Sequence, residues 1–480
     1  MRFHNTLTRT TEEFKPLNPS EVTLYTCGPT VYDFAHIGNI RAFLFDDMLR
    51  RALETQYTVK HVMNITDVGH LVNDDDDTGE DKFETGAKRE NLSVWDVAAR
   101  YTETFKSDIA AMNILPPNGY QDDEAGDTYA RATHFIVAQV ELVRLLLERG
   151  HAYQTEQAIY FDVTSVPSYG ELSGQKLADK VVGVRDEVIS DSDKRSPFDF
   201  AVWFFTVGHY VDHVMHWTSP WGDGFPGWHL ECSAIIHATL GDPIDIHTGG
   251  VDHIGTHHPN EMAQTEAAFG HSLARVWMHN EFILVDGTKM SKSKGNYYTL
   301  ADLVNKGFHP LSYRLLCLQA HYRSELNFTL ESLESAQKTL LNLYAWADLR
   351  HQDNLSEIQL APANISEFVT RVKTALADDL ATPAALAEVF KYTLELAPGM
   401  RYDDEDANLV LSELDKLLGL QLNGRPDIDD SAKAIIAERQ TARDSRDYAR
   451  SDVLRAKLQK QGLDVDDTPN GPRWRRIKLI

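Results

Sequence analysis

The sequence predicts an α/β fold built around a parallel sheet, and three adjoining segments carry this prediction. Residues 22–26 have the β-branched and aromatic content of a strand, and residues 59–65 have the same character. Between them, the apolar side chains of residues 43–53 recur at helical spacing. A strand, a helix and a second strand in this order form a βαβ unit, which implies parallel strands joined by a right-handed crossover.

The same sheet is predicted to resume near the middle of the chain. Residues 244–247 and 275–278 are predicted to form two further strands. The helix between them is predicted to begin near Pro259, because proline is favoured in the first turn of a helix. A separate helical run at 135–148 lies between the two parts of the sheet. We therefore expect a sheet domain that is split by an inserted domain.

The rest of the chain is predicted to be mainly helical and to end in a basic segment. Apolar residues recur at helical spacing over 330–343 and again over 384–396. Residues 431–480 hold twelve Lys or Arg against seven Asp or Glu, whereas the whole chain is acidic. The predicted domains are the halves of the sheet domain at 1–112 and 227–284, the insertion at 113–226, a loop-bearing segment at 285–328, a helical bundle at 329–422 and a small C-terminal domain at 425–480.

Length and composition exclude several classes of protein. A chain of 480 residues is too long for one compact core. Its 47 basic and 72 acidic side chains give a net charge of −25, which argues against a uniformly basic surface for nucleic acid or membranes. The first residues lack the apolar core of a signal peptide, and no stretch reaches the roughly 18 apolar residues of a spanning helix, so we expect a cytoplasmic protein. Three cysteines cannot form a secreted disulfide framework.

Two motifs have the chemistry of a phosphate site. Residues 36–39, HIGN, open the predicted helix, where unpaired backbone N–H groups and the helix dipole attract phosphate. Gly38 lets a nucleotide approach the backbone closely. A lone histidine at a helix start is about as often a cap or a packed residue, so the motif needs a partner. That partner is the loop at 289–293, KMSKS, whose lysines and hydroxyls can hold a triphosphate, although solvated loop charges are the alternative.

A candidate metal site combines four residues that are distant in sequence. Cys27 and Cys232 are predicted to lie in polar, glycine-flanked turns, and His257 and Glu261 are four residues apart on one helix face. Two thiolates, an imidazole and a carboxylate form a plausible zinc set. A buried small hydrophobe is the usual role of an isolated cysteine, and we keep that interpretation for Cys317, which stands between leucines.

Several short motifs are spread along nearly the whole chain. They are CGPTVYD at 27–33, HIGN at 36–39, NITD at 64–67, SPWG at 219–222, WHLECS at 228–233, KMSKS at 289–293 and DTPNG at 467–471. Together these motifs resemble the cysteinyl-tRNA synthetases, a class I family. The resemblance implies a Rossmann-like nucleotide-binding catalytic domain with an inserted connective domain, followed by an α-helical bundle and a small C-terminal anticodon-binding domain.

The resemblance also implies an activity and its participants. Such an enzyme uses ATP and Mg²⁺ to activate L-cysteine, charges tRNA-Cys, selects the substrate thiolate with zinc and is usually a monomer. The implied roles are catalysis for His36, Asn39, Lys289 and Lys292, nucleotide contacts for Gly38, Gly249, Gly250, Asp252 and the same two lysines, cysteine contacts for Thr66, Trp228 and His247, and zinc ligation for Cys27, Cys232, His257 and Glu261. The family pattern places the histidine ligand at His257, although neighbouring His258 could compete for it.

The basic tail is the predicted RNA contact. It offers side chains suited to phosphate contacts and base stacking, namely Arg439, Arg443, Arg446, Arg450, Arg473, Arg475 and Arg476 with Trp474. A solvated helix face is the alternative for any single arginine.

Two other functions fit parts of the sequence. A cysteine-activating ligase that joins cysteine to an amino-sugar, as in the mycothiol pathway, would resemble the catalytic half but would not need the basic tail. A non-catalytic RNA-binding relative would use the zinc site structurally and would not need both phosphate motifs. Cysteine-dependent ATP–pyrophosphate exchange, followed by charging of RNA, distinguishes the three functions.

Overall fold

The computed structural model describes residues 1–68, 71–73, 78–122, 126–174, 193–291, 295–352, 355–358, 362–395 and 400–479. The chain divides into two compact units, of which the first comprises Met1–Ala110, Ile114–Phe282 and Tyr322–Glu325. The second comprises Ala111–Asn113, Ile283–His321 and Leu326–Ile480. Within the described residues, no helix has the length and apolar character needed to cross a membrane. Lys292 and the acidic run at 74–77, a predicted solvated loop, lie outside the described residues.

A five-stranded parallel sheet forms the centre of the first unit. Its strands lie in the order Ala274–Asn280, Ile244–Gly250, Glu21–Thr26, Thr58–Ile65 and Ala130–Arg131, and every neighbouring pair is parallel. Numbered along the chain and viewed from the other edge, this is the order 3-2-1-4-5, as in the first five strands of a doubly wound sheet. The order reverses between the first and fourth strands, and ligands of such folds bind beyond the carboxyl ends at this reversal point.

The predicted βαβ unit is confirmed. Helix Ile37–Leu53 connects the first two strands, Glu21–Thr26 and Thr58–Ile65, which pair in parallel along their length. The predicted strands and helix of the second part of the sheet are also present, with helix His257–Phe269 between the fourth and fifth strands. Both faces of the sheet are covered, so even the polar residues of the fourth strand are buried and need internal partners.

The edge strand Ala130–Arg131 was not predicted from the sequence. It lies inside the stretch assigned to the insertion, yet it pairs with Asn64 and Ile65 at the end of the second strand. Two residues are too few to show a hydrophobic period, and only the parallel pairing reveals the strand. The domain boundaries drawn from the sequence stay predictions.

The insertion carries an antiparallel sheet of its own. Its strands lie in the order Trp217–Ser219, Gly222–Pro226, Phe200–Phe205, Ala158–Phe161 and Ala152–Gln154. The predicted helical run is confirmed as helix Ile136–Glu148, whose Leu142 and Leu146 pack in one core with Phe161 and Trp203. The other elements up to residue 282 are hairpins Arg2–Asn5 with Thr10–Glu13 and Leu71–Asn73 with Thr78–Asp81, and helices Lys82–Glu90, Val94–Ala111 and Trp228–Thr239.

The second unit is mainly helical, as predicted. A small sheet orders its strands Thr288–Lys289, Ile283–Val285 and Leu326–Phe328, and a parallel pair joins Ser356–Ile358 with Met400–Tyr402. Its helices are Leu300–Asn305, Pro310–Leu318, Leu330–Ala347, Pro362–Ala377, Thr382–Glu395, Asp404–Leu418, Asp430–Asp444 and Tyr448–Lys460. Hairpin Leu463–Thr468 with Gly471–Arg476 ends the chain. Cys317 is buried in helix Pro310–Leu318, which agrees with its predicted packing role.

Candidate metal and nucleotide site

The loop after the first strand carries Cys27 and is held between two neighbouring strands. The Cys27 amide donates to the Thr248 carbonyl of the fourth strand (N–O 3.3 Å), and the Gly28 amide donates to the Asn64 side-chain oxygen (2.8 Å). A Cβ atom on Gly28 would lie 1.7 Å from the Asn64 carbonyl oxygen, so only glycine fits there. Cys27 is therefore fixed at the reversal point of the sheet.

The four predicted metal ligands come together at this point. The candidate ligand atoms of Cys27, Cys232, His257 and Glu261 all lie within 4.8 Å of one another, and these four residues are called the metal quartet below. His257 Nε2 is 2.8 Å from Glu261 Oε1, one turn further along helix His257–Phe269. Cys232 lies on a helix rather than in the predicted turn, because apolar residues after it continue the helix. The donor set of two sulfurs, one nitrogen and one oxygen fits zinc.

The charges of the metal quartet depend on one another. Burial raises the pKa of the Cys27 thiol, and its hydrogen bond with Cys232 raises that pKa further. Burial also acts to raise the pKa of Cys232, but hydrogen bonds with Cys27 and His257 outweigh it and bring this pKa to about 6. Burial opposes ionisation of Glu261, but His247 and His257 outweigh it and lower its pKa to about 2. Burial acts to lower the pKa of His257, but Glu261 and Cys232 outweigh it and raise this pKa to about 10. One thiolate and one carboxylate therefore hold a proton on His257, and a divalent cation bound by the quartet would displace that proton.

A second set of possible ligands overlaps the first. The ligand atoms of Cys27 and Glu261 also lie within 4.8 Å of those of His247 and His258. His247 Nε2 is 2.7 Å from Glu261 Oε2, and His258 Nε2 is 3.4 Å from Cys27 Sγ. Both histidines of the pair 257–258 are thus close to the shared ligands. The choice of His257 as the metal ligand stays a prediction.

The three residues predicted to contact cysteine border the metal quartet. Thr66, directly after the second strand, is buried and donates its hydroxyl proton to Glu231 Oε2 (2.7 Å). The Trp228 ring stacks on His257 with 4.3 Å between ring centroids. His247 lies in the fourth strand, within hydrogen-bond distance of the carboxylate ligand. The fold brings all three residues to one place, and their contact with substrate stays a prediction.

Glu231 is a residue of the site that sequence reasoning missed. It is fully buried beside Cys232, and its Oε1 has no hydrogen-bond partner among the described residues. Burial raises its pKa well above the usual range, with a smaller opposing effect from the Thr66 hydroxyl. Its signals in the sequence are its place in the motif at 228–233 and its position directly before Cys232. A glutamate on a helix is usually exposed, so these signals have little weight without the fold.

The HIGN motif forms the start of helix Ile37–Leu53. His36 is the N-cap: its Nδ1 accepts the Asn39 amide proton (3.1 Å), while the Asn39 side-chain oxygen accepts the His36 amide proton (3.1 Å). This reciprocal cap uses one of the N–H groups that were expected to face phosphate. Because Nδ1 accepts, the neutral His36 ring carries its proton on Nε2, which can donate to an anion. Gly38 is partly exposed in the first turn.

The predicted nucleotide contacts of the fourth strand lie at its carboxyl end. Strand Ile244–Gly250 ends with Gly249 and Gly250, and the exposed Asp252 follows in a short turn of helix. A Cβ atom on Gly249 would lie 2.5 Å from His253 Nδ1, and one on Gly250 would lie 2.2 Å from Asp252 Oδ1. A side chain at Gly249 would collide with His253 and His258, whereas one at Gly250 would only require the exposed Asp252 carboxylate to move. Both glycines lie where nucleotides bind in folds of this type.

Lys289 belongs to the second compact unit. It is exposed at the end of a tight hairpin whose turn residues, Asp286 and Gly287, have φ angles of 49° and 71°. An Asp-Gly pair suits this turn, because both residues tolerate positive φ angles. The joint action of Lys289, Lys292 and His36 on one triphosphate stays a prediction.

The C-terminal domain differs from the prediction at two residues. Trp474 is buried in the apolar core of this domain, because alternate residues of strand Gly471–Arg476 face opposite sides. Arg439 is also buried and donates two hydrogen bonds to Asp467 (2.7 and 3.0 Å). Neither side chain can reach RNA in this fold, so that part of the prediction is wrong. Arg446 is exposed and stays a candidate contact.

Comparison with known proteins identifies the class of this architecture. Residues 13–338 match the family described as tRNA synthetases class I (C) catalytic domain. Among solved structures, a Mycobacterium tuberculosis methionyl-tRNA synthetase in complex with methionyl-adenylate has the same fold, with a TM-score of 0.58 at 14% identity over 84% of this chain and 93% of that chain. The chain therefore has the catalytic domain and the fold of a class I aminoacyl-tRNA synthetase.

More similar relatives identify the family. Residues 425–475 match the cysteinyl-tRNA ligase anticodon binding domain. The cysteine–tRNA ligase 1 of Burkholderia lata is 41% identical over 98% of this chain and 96% of its own length, and the cysteine–tRNA ligase of Treponema denticola is 38% identical over 99% and 100%. The chain belongs to the cysteine–tRNA ligase family and is a ligase, which confirms the resemblance inferred from its motifs. The match of the C-terminal domain also disfavours the amino-sugar ligase alternative.

Proposed function

We propose that this chain activates L-cysteine with ATP as cysteinyl adenylate and transfers the cysteinyl group to the 3′-terminal adenosine of tRNA-Cys. Membership of the cysteine–tRNA ligase family supports ATP, cysteine and tRNA as its substrates. The observation that carries the choice of cysteine is the buried metal quartet at the reversal point of the sheet. We further propose a monomeric, cytoplasmic enzyme.

The metal quartet is the proposed zinc site. Zinc bound there would supply a soft Lewis acid that takes a thiolate far better than the hydroxyl of serine. The chain holds the donors in place through the Cys27 amide bond to Thr248 and through the stacking of Trp228 on His257. Discrimination against serine would therefore occur on binding, without an editing domain.

For activation, the carboxylate of cysteine attacks the α-phosphorus of ATP in line, and pyrophosphate leaves. His36 donates a hydrogen bond from Nε2–H to the phosphates, and Asn39 holds the ring in place through the reciprocal cap. Lys289 and Lys292 neutralise the charge that develops on the leaving pyrophosphate. Mg²⁺, when bound, would supply further positive charge to the phosphates. The side-chain-free surface at Gly249 and Gly250 receives the nucleoside, and Asp252 lies where a ribose can be bound.

In the second step, the 2′-hydroxyl of the terminal ribose attacks the activated carbonyl and AMP leaves. We assign no side chain as general base for this step, so positioning of the reactants supplies most of the acceleration. The C-terminal domain would hold the anticodon through exposed basic residues such as Arg446.

Cysteine-dependent ATP–pyrophosphate exchange on the purified chain is the decisive experiment, followed by charging of unfractionated tRNA in the same preparation. We expect both activities, a bound zinc ion and a strong preference for cysteine over serine. Exchange without charging would favour the amino-sugar ligase, and absence of both would leave a non-catalytic relative.

A further inference from the structure

The guanidinium group of Arg41 joins two segments of the first unit that are distant from each other in sequence. Arg41 lies in the second turn of helix Ile37–Leu53 and is buried. Its Nη1 donates to the carbonyls of Glu281 (2.9 Å) and Phe282, and its Nη2 donates to the carbonyl of Ser324. The two ends of one planar group therefore hold two separate segments of backbone, a geometry that suits arginine and not lysine.

The same two segments are also bound to each other and to the helix at a second point. The Glu281 amide donates to the Tyr322 carbonyl (2.8 Å). One turn after Arg41, the Phe45 ring stacks on the Tyr322 ring with 4.6 Å between ring centroids. This aromatic contact does not involve the guanidinium group, so it should preserve the local fold in variants of Arg41.

Each of the two segments leads into a strand of the small sheet in the second unit. Phe282 directly precedes strand Ile283–Val285, and Ser324 precedes strand Leu326–Phe328 by one residue. These two strands pair in parallel, and the hairpin that continues the first of them carries Lys289. The lysine hairpin therefore begins from backbone that the guanidinium group holds.

We propose that Arg41 is a positioning residue for the activation step, because it fixes the backbone from which the lysine hairpin begins. The inference rests on the proposed function, in which Lys289 and Lys292 act on the leaving pyrophosphate. A displacement of about 1 Å at a reacting group can cost about 100-fold in rate, so the start of this hairpin must be held firmly. Loss of the guanidinium group should slow adenylate formation and leave the binding of cysteine at the metal quartet unchanged.

A double-mutant cycle on the full chain tests this role. In Arg41→Gln, we expect the kcat of cysteine-dependent ATP–pyrophosphate exchange to fall about 10-fold to 100-fold and the KM for cysteine to change by less than about twofold. In a chain that also carries Lys289→Ala and Lys292→Ala, Arg41→Gln should lower the remaining kcat by less than about threefold, because the groups that Arg41 positions are absent.

Arg50 provides a matched control on the same helix. It is buried, and its guanidinium group donates to the Pro116 carbonyl and to Glu54 (2.8 Å). Arg50→Gln removes a guanidinium group of the same kind without removing a contact to the segments that Arg41 joins. We therefore expect it to lower kcat by less than about twofold, both in the wild-type chain and in the chain without the two lysines.

Arg41→Lys separates the shape of the guanidinium group from its charge. Lysine keeps the positive charge on one compact ammonium group, which cannot bind both segments, so we expect kcat to fall about tenfold or more. If Arg41→Gln does not fold, Arg41→Lys takes its place in the double-mutant cycle.

An equal fall in kcat for the Arg41 variant with and without the two lysines would overturn the proposed role, as would an unchanged kcat in the chain that keeps them. Full activity of Arg41→Lys would overturn it as well, because charge alone would then be sufficient. A rise in the KM for cysteine without a fall in kcat would contradict action through the lysine hairpin. A wild-type chain with no cysteine-dependent exchange would instead refute the proposed function, and the positioning role would fall with it.

Discussion

The metal quartet and the C-terminal domain both concentrate ionisable side chains, but different interactions hold them. The quartet joins donor atoms within 4.8 Å of one another from a loop and two helices, and its groups are buried. In the C-terminal domain, arginines pair with acids of the same domain, as Arg439 does with Asp467 and Arg455 with Asp464. The helical spacing of His257 and Glu261, both of ligand type, therefore correctly indicated a cluster of ligand atoms. An excess of basic residues was a poor guide to a free surface, because the fold supplies acidic partners.

Some of the basic residues also attach the C-terminal domain to the helical bundle. The buried Asp348 accepts from Arg425 (2.9 and 2.9 Å) and from Arg476 (2.7 Å). The Gln352 side chain exchanges two hydrogen bonds with the backbone of Trp474 (3.0 and 3.2 Å). Part of the basic charge that the composition assigned to RNA binding therefore has a structural role instead, as at Arg425 and Arg476. Substitutions in the two regions test this contrast between a binding site and a structural network.

The largest effect is expected at the quartet. Cys232→Ala removes one of two thiolates, so we expect loss of zinc and a fall of at least about 100-fold in kcat/KM for cysteine, while ATP binding is kept. Metal analysis, exchange kinetics and calorimetric titration of ATP measure these effects. Cys317→Ala is the control, because Cys317 is buried outside both candidate metal groups. Unchanged cysteine activation by zinc-stripped protein would contradict the metal assignment.

The overlapping ligand sets predict a smaller difference between two adjacent histidines. If His257 is the ligand, His257→Ala should weaken zinc binding by about 10-fold to 100-fold, and His258→Ala should weaken it less. Competition with a chromophoric chelator measures both affinities. The reverse order would move the metal to the set that contains His247 and His258.

In the C-terminal domain, a buried and an exposed residue should separate folding from RNA binding. Trp474→Ala should destabilise this domain by about 3 kcal/mol, because a large side chain leaves its core. Arg446→Gln should leave stability unchanged and raise the KM for tRNA about twofold to fivefold, as expected for one exposed ion pair. Hydrogen exchange over residues 430–479 reports the first effect and charging kinetics the second. Neither variant should change ATP–pyrophosphate exchange, and a loss of exchange in Arg446→Gln would count against this separation.

The smallest effect is a pH dependence of the same domain. Hydrogen bonds from Arg455 (2.9 and 3.2 Å) lower the pKa of Asp464 to about 2. The folded pKa lies below the usual value of about 3.9, so the stabilisation is complete above about pH 4 and is lost as the pH falls towards 2. Asp464→Asn should remove this part of the acid sensitivity. Urea unfolding followed by hydrogen exchange at several pH values measures it, and identical acid profiles in both proteins would refute it.

The fold was predictable where a pattern extends over several residues. Four strands of the central sheet and the helix of the insertion follow from periodicity, whereas the strand Ala130–Arg131 is too short to show any. The helical position of Cys232 was missed for a related reason. Polar residues such as His229, Glu231 and Ser233 interrupt the apolar spacing that would predict a helix there. The capping role of His36 was foreseen only as an alternative, since a cap and a phosphate contact use the same kind of residue.

The sequence by itself determined the chemistry of this protein: thiolates, imidazoles and a carboxylate in the pattern of a zinc set, two motifs suited to phosphate, and a family likeness that the comparisons confirm. Tertiary structure alone decided which of these groups meet and what they face. The sheet order places the fourth strand beside the first, so Cys27 lies next to residues more than 200 positions away. The same packing buries Trp474 and leaves Glu231 Oε1 without a hydrogen-bond partner among the described residues. Such long-range contacts depend on how distant segments pack together, and the local spacing of residues does not determine that packing.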